Sequence, residues 1–148
     1  MSEKFRGFIK FAKELVLGEK IETPEKLGNK LKREAKRIKE YIPYLSEEER
    51  RTPCNMIRLD EFYLTPGSGL VDDEEQRKKL NAKGYVVGAL RVALETTQAY
   101  IGDDKNAQTI RVKKAYSVFL KAYRESTMGG LVDLLDKLIE EIESIARL

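Results

Sequence analysis

Residues able to do chemistry are few in this chain. His and Trp do not occur, and Cys54 is the only cysteine. Without His, the Ser-His-Asp and Cys-His arrangements that activate a nucleophile cannot be built. His-containing zinc sites and Cys clusters are excluded on the same ground. Cys54 has no His base to help it and reads better as a buried thiol. Carboxylates remain. Asp60 with Glu61, and the run Asp72-Asp73-Glu74-Glu75, carry the oxygen ligands that Mg²⁺ takes. Acids at a helix start are also what the positive helix end attracts, so that run reads as structural. The stretch Gly67-Ser68-Gly69 has neither the Walker spacing nor the GxGxxG pattern. These residues point away from catalysis, with no cofactor and no metal expected.

The stronger chemical signal is cationic. KLGNKLKREAKRIK, residues 26–39, holds seven Lys or Arg and one acid, Glu34, in a chain whose net charge is only +3. At 100° per residue its apolar positions, Leu27, Leu31, Ala35, Ile38 and Ile42, span an arc of about 80°. Lys26, Lys30, Lys32, Arg33, Lys36, Arg37 and Lys39 spread over the opposite half. A second tract is less obvious: residues 105–124 contain no Asp or Glu but six Lys or Arg. There Lys113, Lys114, Lys121 and Arg124 cluster on one ridge around Ser117, with Arg111 nearby, opposite the apolar face. Residues 125–148 reverse the balance, with six acids and two bases.

Such cations neutralise phosphates and release counterions, which gives affinity without sequence specificity. Lys acts as a point charge and Arg adds bidentate contact. Neither tract shows helix-turn-helix spacing. Tyr41, Tyr44, Tyr116 and Tyr123 have faces on which unpaired bases could stack; the spacing of Tyr116 and Tyr123 favours a place in the core. Two bland readings compete. The basic faces could simply be solvated and paired with nearby Glu, and the 105–124 tract could pair with the acidic C-terminal helix.

The elements that must carry these residues are helical throughout. Phe5, Phe8, Ile9, Ala12, Leu15 and Val16 recur at helical spacing, with Gly18 as a stop. Thr23-Pro24-Glu25 begins a helix running to about Ile42, ended by Pro43. Ser46 and Glu49 form a capping box for a short helix before Pro53. CNMIRLDEFYL, 54–64, suits a strand or a turn or two of helix. TPGSG predicts a flexible loop over 65–71. Asp72 or Asp73 then starts a helix to Ile101, with a possible break at Lys83-Gly84. Asp103 or Asp104 caps the next, and Met128-Gly129-Gly130 breaks it from the last. The expectation is an all-α, single-domain bundle of five to six helices over 1–148.

The last helix carries Leu131, Leu135, Leu138, Ile142 and Ile145 at steps of four and three, widened by Val132, Leu134 and Ile139. That stripe suits burial in its own domain or a homodimer or partner-subunit interface. The Phe-rich N-terminal segment beside Lys4, Arg6, Lys10 and Lys13 reads as core rather than as a membrane-surface helix. No apolar run approaches the ~18 residues of a membrane span, and a lone Cys suits a reducing compartment. A cytoplasmic location is expected. With 36% charged residues rich in Lys and Glu, the composition resembles thermophile usage. It also resembles that of small basic helical subunits in RNA–protein machines. Two functions stay open: a non-catalytic accessory subunit that contacts an RNA or DNA backbone, or a protein-interaction or homo-oligomeric module.

Overall fold

The computed structural model describes residues 21–60, 65–103 and 106–148. The expected N-terminal helix from Phe5, and the last four positions of the 54–64 stretch, lie outside them. Helix α1, Pro24–Tyr41, begins where the sequence signals it. Thr23 is extended, and its side-chain oxygen accepts from the Lys26 amide at 3.1 Å. Pro24 occupies the first turn, where a missing N–H costs nothing. A 3₁₀ turn, Ile42–Tyr44, follows at Pro43. Helix α2, Glu47–Arg50, carries the complete capping box. Ser46 Oγ accepts from the Glu49 amide at 3.1 Å, and Glu49 Oε1 accepts from the Ser46 amide at 2.9 Å.

The stretch after Pro53 resolves into a single 3₁₀ turn, Cys54–Met56. In the TPGSG loop Gly67 takes φ 79°, a left-handed conformation that suits glycine. Asn81 holds this loop from the next helix. Its Oδ1 accepts from the Thr65 amide and its Nδ2 donates to Ser68 Oγ, both at 3.0 Å. Thr65 Oγ1 also donates to the Leu80 carbonyl.

Helix α3, Glu74–Asp103, is one uninterrupted rod of 30 residues, about 45 Å long at 1.5 Å per residue. The break considered at Lys83-Gly84 does not occur. A glycine costs a helix about 1 kcal/mol. Burial of the flanking Ala82, Val86, Val87 and Leu90 outweighs that, since each large apolar side chain contributes roughly 1.5–3 kcal/mol. Burial also extends to Val92, Leu94 and Thr97, so α3 is covered on more than one face. Helix α4, Ala107–Arg124, is capped by Asn106 rather than by Asp103 or Asp104. Asn106 Oδ1 accepts from the Thr109 amide at 2.9 Å, the bond that defines a cap. A 3₁₀ turn, Met128–Gly130, leads into helix α5, Leu131–Ala146.

Among the described residues the architecture is an all-helical single bundle of four main helices and short turns. Helix α1 packs on both α3 and α5, while α4 packs chiefly on α5 and more lightly on α3. In one layer the order is therefore α1, α5, α4. The segment before Cys54 closes over the turn between α4 and α5. The Cys54 amide donates to the Ser126 carbonyl and the Met128 amide to the Thr52 carbonyl, both at 2.8 Å. Gly129 permits this approach, since a Cβ there would lie 3.3 Å from the Arg50 carbonyl oxygen.

Candidate nucleic-acid interface

The positions chosen as an oligomer seam, Leu131, Leu135, Leu138, Ile142 and Ile145, are all 6% exposed or less. They form part of the molecule's own core, because α5 lies between α1 and α4 and turns its stripe inward. The stripe is thus part of the bundle's own core, the first of the two readings its spacing allowed, and Leu138 and Ile145 also line the groove between α4 and α5.

Helix α1 is less uniformly basic at its surface than its wheel suggests. Glu34 is fully buried, with 0% exposure. Burying a carboxylate is costly unless it is paired, and Lys30 and Arg37 lie 3.6 and 3.7 Å from its oxygens. Two further cations reach across to α5. Lys32 pairs with Glu143 at 2.9 Å and Lys39 with Asp136 at 3.7 Å. Lys26, Arg33 and Lys36 are exposed. They make no ion pair among the described residues. Of seven basic residues proposed on this helix, four are engaged inside the molecule.

Helix α4 is different. Arg111, Lys113, Lys114, Lys121 and Arg124 are all exposed. Among the described residues none has a carboxylate within ion-pair distance. Among the described residues, the pairing considered between this tract and the acidic C-terminal helix is not made. The acids of α5 that form cross-helix pairs, Asp136 and Glu143, reach α1 instead. Lys113, Ser117, Lys121 and Arg124 sit on the flank of α4 turned away from α5. The Ser117 hydroxyl donates to the Lys113 carbonyl at 2.9 Å and so stays bound to the helix backbone.

The two basic helices therefore do not form one continuous positive surface on this layer. Helix α5 lies between them and exposes Asp133, Asp136, Glu140 and Glu141. The pattern across the layer is positive, negative, positive.

The four tyrosines considered for base stacking already have neighbours. Tyr116 and Tyr123 are 5% and 8% exposed and pack on either side of Phe119 along α4. Burial raises both phenols. Tyr123 is pushed up to about 12, with Cys54 and Tyr116 adding to the effect, while Gln98 partly offsets the rise at Tyr116. Tyr41 stacks on Tyr85 of α3 with ring centroids 4.5 Å apart. Its phenol is raised by burial first and by Tyr85 second. The Lys78 ammonium lies 5.5 Å from the centre of the Tyr44 ring, within cation–π range.

Cys54 is buried, and burial alone pushes its thiol up to about 11. At neutral pH it is therefore protonated, the unreactive form. Among the described residues no three His, Cys, Asp or Glu side chains gather as a metal site. Likewise no described helix is long and apolar enough to cross a membrane.

Sequence reasoning missed two features. The burial of Glu34 was available as a hint, because it is the single acid in a run of cations and sits beside the apolar arc. The open groove between α4 and α5 left no comparable sign in either helix alone. Comparison with family models, curated proteins and solved structures gives no match for this chain.

Proposed function

We propose that the protein is a non-catalytic, helical accessory subunit that contacts a nucleic-acid backbone, RNA or DNA, within a larger assembly. The observation that carries this reading is the α4 ridge. Lys113, Lys121 and Arg124, with Lys114 and Arg111 beside them, form an exposed row of cations on a helix without a described acid. Solvated cations with no partner among the described residues are available to phosphates at little desolvation cost, and phosphate contact needs no base-reading device. Lys26, Arg33 and Lys36 of α1 offer a smaller second contact. Lys30, Lys32, Arg37 and Lys39 contribute less, because binding would compete with their carboxylate partners.

The test is binding of a generic single strand and a generic duplex across a salt series. For about four phosphates neutralised, log K for duplex should fall against log salt with a slope of roughly −3 to −4. Low-salt binding should weaken by roughly two orders of magnitude in the variant Lys113→Glu/Lys121→Glu/Arg124→Glu. An absence of binding at low salt would sink the proposal, as would equal binding by that variant.

A further inference from the structure

One surface feature belongs neither to the core nor to the phosphate-contacting ridge. Between α4 and α5 runs a groove of about 740 Å³ whose floor includes Ala115, Phe119, Ala122, Leu134 and Leu138. Val118 stands on its α4 side, 70% exposed. An apolar trough with a large aliphatic residue at its lip is a surface that water leaves readily.

The charges at the groove say what fits it. Arg111 and Lys114 line it on the α4 side, and Glu140 and Glu141 on the α5 side. Among the described residues none of these four forms an ion pair. The short connection through residues 125–130 makes α4 and α5 antiparallel. Lys114 lies ten residues before Arg124, where α4 ends, and Glu141 ten residues after Leu131, where α5 begins. The two thus stand at about the same level, on opposite sides of one trough. Lys137, on the α5 side, lies nearer the turn and away from that level.

We propose that this groove is the contact surface of a two-fold dimer, in which α4 of each copy lies over α5 of the other. A two-fold axis along the trough exchanges its sides without changing level. Lys114 of one copy then meets Glu141 of the second, and the reverse. Val118 of each enters the other's groove over Leu134 and Leu138. Self-complementarity of this kind is what an isologous interface requires. A polyanion fits poorly there, because Glu140 and Glu141 would face its phosphates. The dimer takes up Arg111 and Lys114, but the ridge of Lys113, Lys121 and Arg124 lies on the other flank of α4 and stays open, so this proposal does not depend on the phosphate reading.

Sedimentation equilibrium on the full chain tests it, read as mass against concentration with circular dichroism on each variant. The wild type should approach twice the 17.0 kDa chain mass. Val118→Glu, at an exposed position, should keep its helicity and sediment as a monomer. Lys114→Glu should weaken the dimer about tenfold at low salt, since it sets like charges opposite each other. Adding Glu141→Lys to Lys114→Glu should restore the wild-type constant. A wild type that is monomeric at every concentration overturns the proposal. So does a dimer that Val118→Glu leaves intact, or a charge swap that fails to restore association.

Discussion

Helices α1 and α4 are both basic, amphipathic and 18 residues long, yet the fold uses their charges in opposite ways. In α1 the cations close on neighbours: two on the buried Glu34 and two on carboxylates of α5. In α4 the cations meet no described carboxylate. Much of the difference comes from which flank of α5 carries which acid. Asp136 and Glu143 reach α1, whereas Glu141 borders the groove with α4, where neither Arg111 nor Lys114 pairs with a described carboxylate, and Glu140 lines the clefts on both sides of α5. A count of Lys and Arg therefore says little about which helix is available to a partner. What matters is whether the acids that could neutralise them come within reach.

Four experiments sharpen or break this contrast. The largest effect is expected from Lys113→Glu/Lys121→Glu/Arg124→Glu. Loss of about three phosphate contacts should lower low-salt affinity by roughly two orders of magnitude, as measured by fluorescence anisotropy. The unfolding midpoint should barely move, because exposed substitutions typically change stability by less than about 0.5 kcal/mol.

Next comes Glu34→Gln. Lys30 and Arg37 would lose their carboxylate, but both remain partly in contact with water. The cost should therefore fall below the ~3–5 kcal/mol of a fully buried orphan, at about 2 kcal/mol by urea unfolding. An unchanged midpoint would mean that the carboxylate does not organise this face of α1.

Lys32→Glu/Lys39→Glu should be milder. Two exposed cross-helix pairs become like-charge pairs, at a total of about 1–2 kcal/mol. Adding Glu143→Lys and Asp136→Lys should return most of that stability. Failure of the reversal to rescue would break the claim that α5 neutralises α1.

The effect smallest at neutral pH concerns the buried side of α4 and shows only in alkali. The folded state raises Cys54 from 9.0 to about 11 and Tyr123 from 10.0 to about 12. Between these limits the unfolded chain holds fewer protons than the folded one, so stability falls as pH rises. The contribution is intact below about pH 9 and lost progressively up to about pH 12. Cys54→Ala should remove the earlier part of the decline, through about pH 11, and shrink the part due to Tyr123, since Cys54 helps to raise it while burial remains the larger cause. Thermal melts across this range measure it.

The local events in the fold were legible in the sequence. Thr23 and Pro24 mark the start of α1, and Ser46 with Glu49 marks α2, because caps are decided within four residues. The inward stripe of α5 was readable as a stripe. Its destination was not, since one pattern serves a core or a seam. The continuity of α3 through Gly84 escaped because a glycine's helix penalty is local, while the burial that outweighs it comes from neighbouring elements. The fate of the basic helices escaped for the same kind of reason. Lys32 and Glu143 are distant along the chain, and nothing within α1 announces a partner in α5. The exposure of the α4 cations was legible because the wheel separates them from Val112, Tyr116, Phe119 and Tyr123, whereas the place of Lys114 was not: it lines the groove with α5 instead of the ridge.

The burial of Cys54 has a practical consequence. Its segment is clasped to the turn between α4 and α5 by two backbone hydrogen bonds. A thiol reagent can reach the sulfur only in the moments when that clasp opens. The labelling rate, set against that of a free thiol, therefore reads the equilibrium of this one local opening, separately from global unfolding. The molecule carries its own reporter at the joint where α4 turns into α5, the two helices whose shared groove and opposed charges distinguish this side of the bundle.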